Sequence, residues 1–148
     1  GAIAYGKKSE LVVMDKKRRT ATDFVDQVYD GALLQFMTEF IDIEPILMED
    51  GAPIYTATPS NNWRVAHDLQ KLVWPAQSPD LNPIENLWAT MKRAVHRKHK
   101  SSDTVDVLIK NIHEAWENIS MKKINTLVES MSNRVQELKK NKRTGIDY

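Results

Sequence analysis

The chain has 148 residues, of which 41% are hydrophobic and 28% charged, with no cysteine. Its net charge of +1 is uneven: residues 1–85 carry 8 Lys/Arg against 13 Asp/Glu, giving −5, and residues 86–148 carry 13 against 7, giving +6. These numbers suit one compact domain, 1–148, with a real core. They exclude a disordered tail, a disulfide scaffold, a zinc finger and thiol catalysis, and no apolar run approaches the roughly 20 residues of a membrane span.

Ala2–Tyr5 and Leu11–Met14 are short β-rich runs around Gly6-Lys7-Lys8 and read as a hairpin. From Thr22 to Phe40 the residues Phe24, Val25, Val28, Leu33, Phe36, Met37 and Phe40 keep helical spacing, with Gly31 as a weak point. Ile46-Leu47-Met48 reads as a strand buried on both faces and ends at Glu49-Asp50-Gly51-Ala52-Pro53. Thr58–Leu69 reads as a short helix opened by Pro59, and Leu72-Val73-Trp74 as a short strand.

Pro75, Pro79 and Pro83 then stiffen a loop. Beyond Asn82 the chain is helical, with Ile84, Leu87, Trp88, Met91 and Val95 on one face. Two amphipathic helices follow. One carries Val105, Leu108, Ile109, Ile112, Trp116 and Ile119, capped by Ser102 or Asp103. The other carries Ile124, Leu127, Val128, Met131, Val135 and Leu138, capped by Ser120. A basic tail, Lys139–Arg143, closes the pattern. Strands alternating with helices argue an α/β fold, a mixed sheet flanked by helices.

Two carboxylates stand out by position. Asp50 lies just past a predicted strand, where open α/β sheets place their ligands. Asp-Gly is equally an ordinary turn pair. Glu85 lies in the first turn of the helix after Asn82-Pro83, where it could close a capping box on Asn82. It also heads a polar stripe with Lys92 and His96, at i+7 and i+11. Two carboxylates on rigid elements suit Mg²⁺-dependent phosphodiester chemistry.

The stretches MEDGAPIYTA (48–57) and WPAQSPDLNPIENLW (74–88) resemble the two catalytic blocks of the mariner superfamily of DNA transposases. Asp50 and Glu85 are separated by 34 residues, the spacing of that family's glutamate-terminated branch. The opening GAIAYGKKSELVVMD resembles the strands after the family's first catalytic strand, so the resemblance covers essentially the whole chain. It implies an RNase H-like fold and cut-and-paste transposition. Such enzymes use Mg²⁺, with Mn²⁺ as substitute, act on double-stranded DNA at inverted-repeat ends, and insert at TA. By match, Asp50 and Glu85 are the second and third catalytic carboxylates and metal ligands. A homodimer and a nuclear location are implied in the same way.

The family's first aspartate would lie on a strand upstream of Gly1, so these residues are expected to be an incomplete and inactive core. The alternative is a non-catalytic, domesticated remnant used for DNA binding or assembly. Tyr55 stands where relatives often carry histidine. The run Lys92, Arg93, His96, Arg97 and Lys98, continuing the Glu85 helix, is the candidate DNA contact, although cations also suit a helix C-terminus. His96 and His99 have no third metal ligand placed with them. Trp74, Trp88 and Trp116 read as core, and Trp63 is open between core and surface.

Overall fold

The computed structural model describes residues 1–40, 43–73, 78, 81–101 and 103–140, without the side chains of 138 and 139. The chain forms two compact units, Gly1–Ala2 with Lys8–Ser78, and Ile3–Lys7 with Pro79–Tyr148.

The first unit is built on a long helical segment. Helix α1 (Ala21–Phe24) starts at a capping box: Thr20 Oγ1 accepts from the Asp23 amide at 3.1 Å, and the Asp23 carboxylate accepts from the Thr20 amide at 3.0 Å. A π-helix, Val25–Leu33, continues it and passes into α2 (Leu34–Met37). The wider π winding matters for the core. Bonds from i to i+5 bring Phe24, Tyr29 and Leu33 to one side, so Tyr29, absent from the predicted apolar face, becomes 1% exposed. The helix ends at Met37, before Phe40.

Short α3 (Pro53–Thr56) and longer α4 (Thr58–Ala66) complete the unit. From α4, Trp63 joins Phe24, Tyr29, Leu33 and Leu69 in the core. Tyr29 meets Phe24 edge-on and Trp63 at a tilt, with ring centroids 4.8 Å apart in both pairs.

Strand content is smaller than predicted. Strands β1 (Ile3–Ala4) and β2 (Lys7–Lys8) form a tight hairpin whose turn needs Gly6 at φ +72°. Leu11–Met14 forms no strand. In place of Ile46–Met48 there is one parallel bridge, Leu47 to Lys71. The Leu47 amide donates to the Gln70 carbonyl, and the Leu72 amide to the Leu47 carbonyl, both at 2.8 Å. Ile46 is 60% exposed, so this segment is not buried on both faces. Among the described residues the segment pairs along one edge only, so Leu47 packs on the core while Ile46 faces out. Leu72 and Val73 are exposed, and Trp74 lies outside the described residues.

The second unit packs α5 (Pro83–Lys98) against α6 (Val105–Glu117) and α7 (Met121–Glu129), with α8 (Met131–Lys140) following. Leu87, Trp116 and Ile124 are fully buried, and Trp88 stacks on Trp116 at 5.5 Å. Thr104 caps α6, its hydroxyl accepting from the Val107 amide at 3.4 Å, in place of the predicted Ser102 or Asp103. Ser120 caps α7 as its sequence suggests. The predicted single last helix breaks at Ser130 into α7 and α8. Gly6 in the hairpin turn donates to Asn125 Oδ1 at 2.7 Å. The basic tail from 141 onward lies outside the described residues.

Candidate functional site

Asp50 is exposed, at the end of the segment that carries the Leu47 bridge. Its Oδ1 accepts from the Ala52 amide at 2.9 Å, the Asx turn expected of an Asp-Gly pair. Oδ2 projects without a hydrogen bond among the described residues. The turn role and a ligand role are therefore compatible, since one oxygen holds the loop and the other stays available.

The residue before it is tightly held. Glu49 is a nearly buried carboxylate, its side chain 10% exposed. Oε1 accepts from the Tyr29 hydroxyl at 2.5 Å, and Oε2 faces an Arg64 nitrogen at 3.2 Å and Lys71 Nζ at 3.4 Å. Arg64 also donates to the Tyr29 oxygen, the Tyr55 carbonyl and Asn61 Oδ1. Lys71 Nζ reaches the Asp50 carbonyl at 3.5 Å. Burial, then the hydrogen bond to Glu49, raises the Tyr29 phenol well above its ordinary value of 10.0. It stays a donor throughout the neutral range. Tyr55 packs its ring on Phe24 at 5.3 Å, beneath Lys71.

Sequence reasoning missed this cluster because its members are 15, 20 and 35 residues apart in pairs. Only a carboxylate adjoining Asp50 hinted at it. A cleft of about 810 Å³ opens beside the cluster, lined by Asp50, Asn61, Arg64, Asp68 and Lys71 among others.

Glu85 belongs to the second unit. Asn82 caps α5, its Oδ1 accepting from the Ile84 amide at 3.4 Å, and Pro83 fills the first helical position. The reciprocal bond, in which the Glu85 carboxylate would accept from the Asn82 amide, is not formed among the described residues. Glu85 is exposed, with both oxygens available. Lys92, Arg93, His96, Arg97 and Lys98 are also exposed on α5. Lys98 pairs with Glu114 at 2.8 Å, and that hydrogen bond holds the Glu114 carboxyl below its ordinary range. Among the described residues no three His, Cys, Asp or Glu side chains gather as a complete metal-ligand set.

Residues 1–109 match the family model described as DDE superfamily endonuclease. The chain belongs to the DDE superfamily of endonucleases. Its relatives within that family are Tc1/mariner-type transposases. It is 31% identical over 148 residues to the Tc3 transposase of Caenorhabditis elegans, covering 100% of this chain and 44% of that protein. It is 34% identical over 91 residues to the Tc1 transposase of the same organism, covering 62% of this chain and 33% of that protein. The chain thus spans less than half the length of these curated relatives.

Among solved structures, the catalytic domain of Mos1 mariner transposase superposes with a TM-score of 0.72 at 19% identity, covering 86% of this chain and 64% of that one. The same domain with Raltegravir and Mn superposes with a TM-score of 0.73 at 18% identity, covering 98% and 80%. These matches show the RNase H-like fold of this DDE superfamily chain. Its side chains fit the divalent metal that the family implies: Asp50 keeps one free carboxylate oxygen and Glu85 keeps two, the hard donors Mg²⁺ prefers.

Proposed function

We propose that residues 1–148 are the catalytic core of a cut-and-paste DNA transposase, with Asp50 and Glu85 as metal-binding catalytic carboxylates. The observation that carries this is the state of the two side chains. Each is exposed, each keeps uncommitted oxygen on a locally stiffened backbone, and 34 residues lie between them in sequence. Mg²⁺, or Mn²⁺ in its place, would supply Lewis-acid activation of the attacking hydroxyl and neutralise charge on the phosphate.

The chain's own contribution is to hold the carboxylates. The Asx turn fixes the Asp50 rotamer, and Pro83 fixes the start of the helix that carries Glu85. The substrate is double-stranded DNA at transposon inverted-repeat ends, with insertion at TA. Lys92, Arg93, His96, Arg97 and Lys98 contact the backbone. Action as a homodimer in the nucleus belongs to the same reading.

Mn²⁺ titration followed by electron paramagnetic resonance tests the assignment. Binding by the wild-type chain that is lost in both Asp50→Asn and Glu85→Gln supports it. Unchanged binding in either variant removes that residue from the site.

A further inference from the structure

On the second unit, two cations converge on one neutral hydroxyl. Thr90 Oγ1 accepts from Lys123 Nζ at 2.8 Å and from an Arg93 guanidinium nitrogen at 3.4 Å. It is itself tied to the Asn86 carbonyl at 2.9 Å. Lys123 comes from the first turn of α7 and is half-buried, while Arg93 lies on exposed α5. Neither forms an ion pair with a carboxylate among the described residues.

Next to them, α5, α6 and the start of α7 enclose a cleft of about 220 Å³. Met91, Ala94 and Ile119 supply its apolar lining, and Asn111, Asn118 and Lys98 add polar groups. No Asp or Glu lines it. Lys98 is the one lining cation with an acidic partner, Glu114.

Two like charges held at a shared hydroxyl repel each other, and half-burial increases that cost. A bound anion reverses the sign. The two donors that meet at Thr90 suit a phosphate: a planar guanidinium and an ammonium, facing a group rich in oxygen acceptors. Residues 86–148 carry a net +6 in sequence, which favours a polyanion over an isolated ion.

We propose that Arg93 and Lys123, which meet at Thr90 on the rim of this cleft, hold a backbone phosphate of DNA between them, with Thr90 fixing their separation. This rests on the proposed transposase function and extends the DNA contact from α5 onto α7, which the run Lys92–Lys98 did not include. The contact reads no base sequence; it sets where the backbone lies.

Fluorescence anisotropy of a labelled duplex against the full 148-residue chain, without divalent metal and over a series of salt concentrations, tests it. Lys123→Gln and Arg93→Gln should each weaken binding severalfold and reduce the log–log salt slope by about 0.9, the loss of one phosphate contact. Lys123→Arg should restore both. Thr90→Val should weaken binding, and Lys122→Gln, exposed one residue away, should change neither.

An unchanged slope in Lys123→Gln overturns the proposal. So does an acidic peptide bound as tightly as DNA. If Lys123→Gln loses its helical circular dichroism, Lys123→Met, which keeps the aliphatic stem without the charge, decides in its place. A wild-type chain that binds no DNA also overturns it, whereas the Mn²⁺ titration of Asp50 and Glu85 stands or falls separately.

Discussion

Arg64 faces Glu49 at 3.2 Å inside the first unit, and Asp50 is the next residue along the chain. The two side chains are 7% and 10% exposed, so this is a buried pair, completed by the Tyr29 hydroxyl and Lys71. Removing one partner strands the other's charge. Arg64→Met is therefore expected to destabilise the unit by about 3–5 kcal/mol, read from urea unfolding. Replacing both, Arg64→Met with Glu49→Leu, should cost less than the single change. A single variant within 1 kcal/mol of wild type would contradict the buried-pair account.

Asp50→Asn separates fold from chemistry. An asparagine oxygen can still accept from the Ala52 amide, so stability should stay within about 0.5 kcal/mol of wild type. Glu85→Gln, exposed and unbonded, should behave likewise. If either variant unfolds several degrees early, that carboxylate has a structural role the geometry does not reveal.

Tyr29 gives a pH dependence with a definite sign. Its phenol is raised above 10.0 in the folded chain, so above that pH the unfolded state loses the proton while the folded state keeps it. Its contribution is fully present below pH 10 and is lost as pH rises, at up to about 1.4 kcal/mol per pH unit. Tyr29→Phe should flatten that decline. Equal slopes for the two proteins would exclude Tyr29 as the cause.

Thr20→Ala removes the hydroxyl of the capping box at α1 and should cost about 1 kcal/mol. Thr20→Ser should recover most of it. Thermal unfolding of the three proteins makes the comparison.

Trp116 is fully buried and stacked on Trp88 in the second unit. Trp116→Ala should cost about 3–5 kcal/mol, read from urea unfolding. A smaller loss would mean the helices close over the vacated space.

By itself the sequence determined what depends on neighbours a few residues away. Asn82-Pro83 starts α5, Ser120 starts α7, and Asp50-Gly51 makes a turn, because caps and Asx turns are satisfied within three residues. The 34-residue spacing and the two blocks around it sufficed to place the family. Tertiary structure decided the rest. Strand pairing is non-local, so the apolar run Ile46–Met48 did not reveal that only Leu47 would find a partner, at Lys71. Helical periodicity at 3.6 residues hid Tyr29, which the π winding turns inward. The Glu49 cluster and the meeting of Arg93 with Lys123 at Thr90 join distant segments. Hydrogen-bonding capacity is written in the residue type, but the partner is chosen by packing, and that choice exists only once the elements have come together.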